Sequence, residues 1–261
     1  MQSPGSSNAD RGTSWGGDAD WYADHLLSGD TYHAQVIVPN LARVLALAPG
    51  MRVLDLGCGE GFITRALQES GAELTGSDIA PELIALANAH PSKGSTTYHA
   101  SPAQALTWAK DDYFDVVMCV LALQNMEDIV AVMREVARVL KRGGRFVFVL
   151  NHPVVRIPKR SSWGFDEKTG IQYRRLDGYY VPARNKMFMH PGRDSSYTWS
   201  FHRSLEEHCK ALFKAGFVIV GLEEWLSHKV SERGPRQEAE DTARKEFPLF
   251  MMIQASKAGI V

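Results

Sequence analysis

The run VLDLGCGEG, Val53 to Gly61, with an acid at Asp78 further on, holds the residues of this chain best suited to chemistry. Three glycines at alternate positions, Gly57, Gly59 and Gly61, separate an apolar strand (Val53, Leu54, Leu56) from a helical pattern over Phe62 to Ser70. A tight strand-to-helix turn needs positive φ angles and lets the backbone approach a ligand closely; a Cβ obstructs both. Asp78 lies in the next strand-like run, ELTGSDI, where a carboxylate can accept two hydrogen bonds from a ribose diol. The pair predicts a nucleoside-type cofactor site on a doubly wound sheet. A G-x-G-x-x-G dinucleotide turn needs its third glycine at Phe62, where a bulky ring blocks close helix–strand packing. No Gly-Lys-Ser/Thr follows the glycines, which excludes a phosphate loop.

Around this turn the chain reads as alternating strands and helices. Helical patterns cover Trp21 to Leu27 and Thr31 to Leu47, the second opening after Asp30 as a cap. Strands are expected over Glu73 to Ile79, Thr96 to Ala100, Tyr113 to Leu121 and Arg145 to Leu150, with helices over Pro81 to His90 and Val130 to Leu140. Beyond residue 153 the rhythm breaks, and short alternating pieces (Ile171 to Tyr173, Tyr197 to Phe201) read as hairpin strands. A capping box at Ser204 to Glu207 opens a helix ending near Gly216. Strands over Phe217 to Leu222 and Phe247 to Ala255 follow, separated by a charged helix-like piece, Glu238 to Glu246. The organisation expected is a disordered tail (1–18) and one domain (19–261), with an N-terminal helical cover (19–48) and an inserted lid (154–200).

With 261 residues, 44% of them hydrophobic, the chain can bury a full core. A net charge of −1 gives no broad attraction to nucleic acid, and apolar stretches of strand length are too short to cross a membrane. Residues 1 to 18 have no apolar region of the kind a signal peptide needs. Three scattered cysteines, Cys58, Cys119 and Cys209, point to reduced thiols, a cytoplasmic protein and no metal site.

These features resemble the class I S-adenosylmethionine-dependent methyltransferases, in particular small-molecule enzymes of the type 11 kind. That family's (D/E)-x-G-x-G-x-G turn is matched by Asp55, Gly57, Gly59 and Gly61, and its ribose-binding acid by Asp78. FDVVMCVLALQNMED (Phe114 to Asp128) and VLKRGGRFVFVLNHP (Val139 to Pro153) match two later segments in order. The resemblance implies a seven-stranded, mostly parallel, Rossmann-like α/β sheet, whose last strand runs antiparallel between the fifth and sixth. It implies S-adenosyl-L-methionine as methyl donor and S-adenosyl-L-homocysteine as product. The methionine end then lies over the turn that includes Cys58, with Asp55 ordering the turn and reaching the cofactor amine through water. Adenine is expected between Ile79 and the Ser101 to Gln104 loop, against the Ala103 amide. Relatives often carry an acid in that loop; here Ser101 or Gln104 replaces it. Carbonyls near Val120 suit the ammonium, and Gln124 stands where many relatives have His.

Methyl transfer by in-line displacement needs alignment and a dry site more than proton chemistry. Where a base is needed, His152 is best placed, with His190 and His202 flanking the insertion. Aromatic side chains of the cover and lid (Tyr22, Tyr32, Trp163, Tyr180, also Trp21 and Tyr179) are candidates to face substrate or sulfonium. Between residues 154 and 175 six basic side chains stand against two acidic ones, which suggests an anionic small-molecule substrate with Arg174 or Arg175 as clamp. A protein or tRNA acceptor, or a non-catalytic cofactor-binding protein, is the alternative. A monomer or homodimer is expected.

Overall fold

The computed structural model describes residues 30–91, 94–188 and 197–258. The expected tail (1–18), the helix over Trp21 to Leu27 with its Tyr22, and His190 lie outside those residues. Five parallel strands come first: β1 (Arg52–Leu56), β2 (Glu73–Asp78), β3 (Thr96–Ala100), β4 (Phe114–Val120) and β5 (Leu140–Asn151). Two hairpins follow, β6 (Ser161–Asp166) with β7 (Ile171–Leu176) and β8 (Ala183–Phe188) with β9 (Tyr197–His202). The last two strands, β10 (Phe217–Trp225) and β11 (Phe250–Lys257), rejoin the main sheet. Its order is β10-β11-β5-β4-β1-β2-β3, with β11 antiparallel to both neighbours.

The helices are α1 (Val38–Leu45), α2 (Phe62–Ala66), α3 (Pro81–Ala89), α4 (Ile129–Val139), α5 (Leu205–Lys214) and α6 (Gln237–Glu246). Apolar side chains of the sheet are buried on both faces, as a parallel sheet covered by helices requires. Leu54, Leu56, Phe146 and Phe148 pack with Val132, Val136 and Leu212 from α4 and α5. Val53, Met118, Val147 and Val149 pack with Leu41, Leu45 and Ile63 from α1 and α2. From β1 the chain winds outward to β2 and β3, then returns to β4 on the other side of β1. The carboxyl ends of β1 and β4 therefore flank the switch point where such sheets bind ligands.

Two local expectations are corrected. The segment expected as one helix from Thr31 opens as a π-turn over His33–Ile37, because Pro39 in the first turn of α1 has no N–H to give; the Val38 amide reaches back to His33 O. Thr31, not Asp30, caps it, its Oγ1 accepting from the Ala34 amide at 3.2 Å. Asp30 instead accepts from His228 Nε2 at 2.9 Å and pairs with Lys229. The fifth strand also begins earlier than expected, with Gly143-Gly144 inside it as a bulge. Phe114 faces Leu140, but Val116 faces Arg145.

The insertion between β5 and α5 forms the two hairpins. The Ser204 capping box is complete, with Ser204 Oγ accepting from the Glu207 amide at 3.3 Å and Glu207 Oε2 from the Ser204 amide at 3.1 Å. Among the described residues no helix is long and apolar enough to cross a membrane.

Candidate functional site

The glycine turn is fixed by its neighbours before any ligand enters. The amides of Gly57 and Cys58 both donate to Ser77 O, at 2.7 and 3.1 Å, which ties the turn to β2. Gly57, Gly59 and Gly61 all have positive φ (77°, 57° and 83°). A Cβ on Gly57 would stand 2.4 Å from Ala122 Cβ, so the turn lies directly against the segment that follows β4. Leu121 in that segment holds φ at +54°, a strained conformation for a leucine, with its amide bonded to Val149 O at 2.8 Å.

Asp78 is at the rim. Its Oδ2 accepts from the Gly59 amide at 3.0 Å and its Oδ1 from the Ala80 amide at 2.9 Å. The Ile79 amide also acts on this carboxylate, and with about four acceptor directions in all the group is oriented without being saturated. Burial raises its pKa, while the amides of Ala80 and Gly59 pull the other way. Beside it Ile79 leaves 48% of its surface exposed, a flat apolar platform next to a two-oxygen acceptor. That donor set fits an adenosine: diol on the carboxylate, purine on the aliphatic face.

Asp55 lies deeper, 2% exposed, and accepts from Thr64 Oγ1 at 2.6 Å. Burial lifts its pKa to about 7; the Thr64 bond opposes the rise and the Asp78 charge adds to it. Because the folded value exceeds the unfolded one, this group's stabilising contribution is full below about pH 4 and is lost as pH rises toward 7. Asp55→Asn is expected to remove that loss, worth a few kcal/mol. Chemical denaturation between pH 5 and 8 checks this; parallel stability curves for variant and wild type would contradict it. Burial, with the Asp55 and Asp78 charges, pushes the Cys58 thiol well above its usual range, so it is a packing group.

In the loop expected to meet adenine, Ser101 and Ala103 are both buried, and the Ser101 amide donates to Asp78 O at 2.8 Å. Ser101 Oγ gives its hydrogen to Ala105 O at 3.0 Å, leaving the oxygen as an acceptor. Val120, the last residue of β4, is buried next to Leu121. Gln124 Oε1 accepts from the Asn151 amide at 3.0 Å, so this side chain ties the post-β4 turn to the end of β5.

The histidines separate clearly. His152 is buried with both nitrogens engaged: Nε2 meets Glu224 Oε1 at 2.6 Å, and Nδ1 accepts from the Val154 and Val155 amides, both at 3.3 Å. No lone pair is left for a substrate proton, which corrects its expected place as the base. His202 is equally buried, 4% exposed, and its Nε2 donates to Tyr179 O at 2.7 Å, which leaves Nδ1 as the other ring nitrogen. β9 packs on the 3-10 turn Leu123–Asn125, which brings His202 toward the β4 edge.

Of the cover and lid aromatics, Tyr32 packs edge-on against Phe250 at 5.8 Å, at the carboxyl edge. Trp163 is stacked under Arg174 at 4.9 Å. Tyr180 is exposed and donates to Glu206 Oε2, and Tyr179 OH accepts from the Leu205 amide at 2.9 Å; these hydroxyls tie the segment between β7 and β8 to α5. Arg175 is exposed and paired with Asp177 at 2.9 Å. Arg174 points inward instead, donating to Val155 O at 3.0 Å and Ser161 Oγ at 2.8 Å.

Several residues escaped the sequence reading. Glu60, 2% exposed inside the turn, pairs with Arg65 and lies 3.5 Å from His90. Arg156 donates to Asn151 Oδ1 at 2.6 Å, and Arg203 Nη2 to Met126 O at 2.9 Å. The excess of basic residues after β5 was the available signal for Arg156; Glu60 had none beyond its charge five residues from Arg65.

Residues 54–148 match the family model described as a methyltransferase domain. A ubiquinone biosynthesis O-methyltransferase of Xanthomonas campestris pv. campestris (strain B100) is 38% identical over 106 residues, 40% of this chain and 44% of that protein. The match thus spans less than half the length of this relative. A crystal structure of an S-adenosylmethionine-dependent methyltransferase from Mesorhizobium loti superposes with a TM-score of 0.68 at 28% identity, covering 87% of this chain and 98% of that one. The cyclase SpnF shares the fold alone, at 18% identity and a TM-score of 0.56 over 86% of this chain and 82% of that one.

Proposed function

We propose that this chain, similar over residues 54–148 to a methyltransferase domain and in fold to an S-adenosylmethionine-dependent methyltransferase, methylates a small-molecule acceptor at the carboxyl edge of β1, β4 and β5. The observation that carries the reading is Asp78, held by the Gly59 and Ala80 amides beside exposed Ile79 and facing a glycine turn that touches the post-β4 segment. A hydroxyl oxygen as the attacking atom draws support from the O-methyltransferase name of the relatives. The net charge of −1, with no broad attraction to nucleic acid, favours a small acceptor over RNA.

When bound, S-adenosylmethionine supplies an electrophilic methyl group on a sulfonium. Asp78 would hold the ribose diol, Ile79 and the Ser101–Ala103 loop would flank the purine, and carbonyls near Val120 would receive the ammonium. Gly57, Gly59 and Gly61 let the backbone approach where a Cβ would fill the space. Alignment of this kind can lower a barrier by roughly 7–11 kcal/mol. For a hydroxyl acceptor, His202 Nδ1 is the base we assign, since His152 is occupied on both nitrogens.

Calorimetry with S-adenosylmethionine and S-adenosylhomocysteine, then methyl-release assays on a panel of phenols, amines and carboxylic acids, tests this. Binding of both nucleosides and turnover of at least one acceptor is expected. Binding without turnover across the panel would favour a non-catalytic binder or a macromolecular acceptor. No heat with either nucleoside, together with a thermal response to NADH or ATP, would overturn the assignment.

A further inference from the structure

Two guanidinium groups come near each other at the carboxyl edge of β5 with no acid paired to either among the described residues. Arg156 gives one nitrogen, Nη1, to Asn151 Oδ1 at 2.6 Å, and its cation lies 5.7 Å from the Phe250 ring centre. Arg174 reaches in from β7, gives Nε and Nη2 to Val155 O and Ser161 Oγ, and stacks on Trp163. Neither forms an ion pair with a carboxylate among the described residues. Lid arginines that serve as surface charge look different: Arg175 is exposed and holds Asp177 at 2.9 Å.

We propose that Arg156, seconded by Arg174, is the receptor for a carboxylate carried by the methyl acceptor, with Asn151 as the residue that positions Arg156. This deepens the methyltransferase reading and rests on it. With Nη1 on Asn151, the Nε–Nη2 side of the Arg156 fork makes no hydrogen bond among the described residues, and that side can take a carboxylate through two parallel hydrogen bonds. Asn151 is also the residue whose amide is tied to Gln124 in the post-β4 turn, so the anchor is one side chain removed from the segment that abuts Gly57. Phe250 and Tyr32, edge to face at 5.8 Å, form an apolar wall beside the anchor. An acceptor with a flat ring and a terminal carboxylate matches that pairing.

The electrostatics agree with the geometry. Burial lowers the Arg156 pKa; the Tyr32 phenol opposes this and the nearby Arg174 charge adds to it. Burial also lowers that of Arg174. Arginine stays charged regardless, so the fold keeps two partly desolvated cations near each other at a cost that a bound anion relieves.

Benzoate and its neutral isostere benzamide, titrated by calorimetry into the full chain with and without S-adenosylhomocysteine, test the assignment. Wild type is expected to prefer benzoate at least tenfold. Arg156→Gln should reduce that preference to within about threefold while S-adenosylhomocysteine affinity stays unchanged, which also certifies the fold. Arg174→Gln should lower it partly, Arg156→Lys should restore only part of it, and Arg175→Gln should leave it intact. Equal affinity for acid and amide, no benzoate binding at millimolar concentration, or a preference that survives Arg156→Gln would overturn the proposal. Inorganic phosphate competing as well as benzoate would overturn the carboxylate assignment. Should S-adenosylhomocysteine fail to bind wild type, the methyltransferase reading falls, and the acid-to-amide ratio still decides the anchor.

Discussion

Asp78→Asn is expected to weaken S-adenosylhomocysteine binding at least a hundredfold, about 2.7 kcal/mol, while the protein stays folded. Both oxygens of this carboxylate already hold a backbone amide, Gly59 on one and Ala80 on the other, so its direction is set before the ligand arrives. A ribose diol then donates to the remaining lone pairs of a charged acceptor, and hydrogen bonds to charged groups contribute about 1.5–3 kcal/mol each. Asparagine keeps one acceptor oxygen and loses the charge, so one amide and one hydroxyl lose their partner together. The substitution has a second readout that a general loss of structure does not produce. Burial is the main cause that raises the Asp55 pKa to about 7 and the Asp78 charge adds to it, so neutralising Asp78 should move the Asp55 stability transition to somewhat lower pH. Calorimetry gives the first effect and pH-dependent denaturation the second. An affinity within threefold of wild type would remove Asp78 from the site.

The parts of this site that were legible in the sequence are the parts carried by neighbours along the chain. Gly57, Gly59 and Gly61 follow their strand directly, Asp78 sits at the end of the next one, and Ser204 and Glu207 cap within a single turn. Where the outcome depended on residues far apart, the sequence reading failed or stayed open. His152 looks like a base two residues beyond an apolar run; Glu224, 72 residues later, is what occupies it. Asp30 looks like a cap, and its partners Lys229 and His228 come from the opposite end of the chain. Arg174 and Arg175 are adjacent and chemically identical in the sequence, and strand alternation alone sends one inward and the other to solvent. Periodicity specifies an element and its buried face; which polar atoms meet is set by the tertiary pairing of elements.

The close contact between the glycine turn and the post-β4 segment gives the second large effect. Gly57→Ala is expected to cost about 3–4 kcal/mol of stability. A left-handed φ costs a residue with a Cβ roughly 1–2 kcal/mol, and overpacking typically adds 1–3 kcal/mol. Gly50 separates the two contributions. Its φ is +81°, close to the +77° of Gly57, yet a Cβ there meets nothing within 4 Å, whereas at Gly57 it meets Ala122 Cβ at 2.4 Å. Gly50→Ala should therefore show the conformational cost alone, about 1–2 kcal/mol. Adding Ala122→Gly to Gly57→Ala removes the clashing carbon and leaves Ala122 Cα, 3.9 Å away, as the nearest backbone atom of that residue. The double variant should recover most of the difference between the two single alanines, less roughly 0.5–1 kcal/mol for the extra glycine. Urea denaturation of the four proteins measures this directly. Equal costs at Gly50 and Gly57, or no rescue by Ala122→Gly, would mean that the turn and the post-β4 segment are not in contact. The two sides of the proposed cofactor cleft would then not be held together in the way Asp78 and Val120 require.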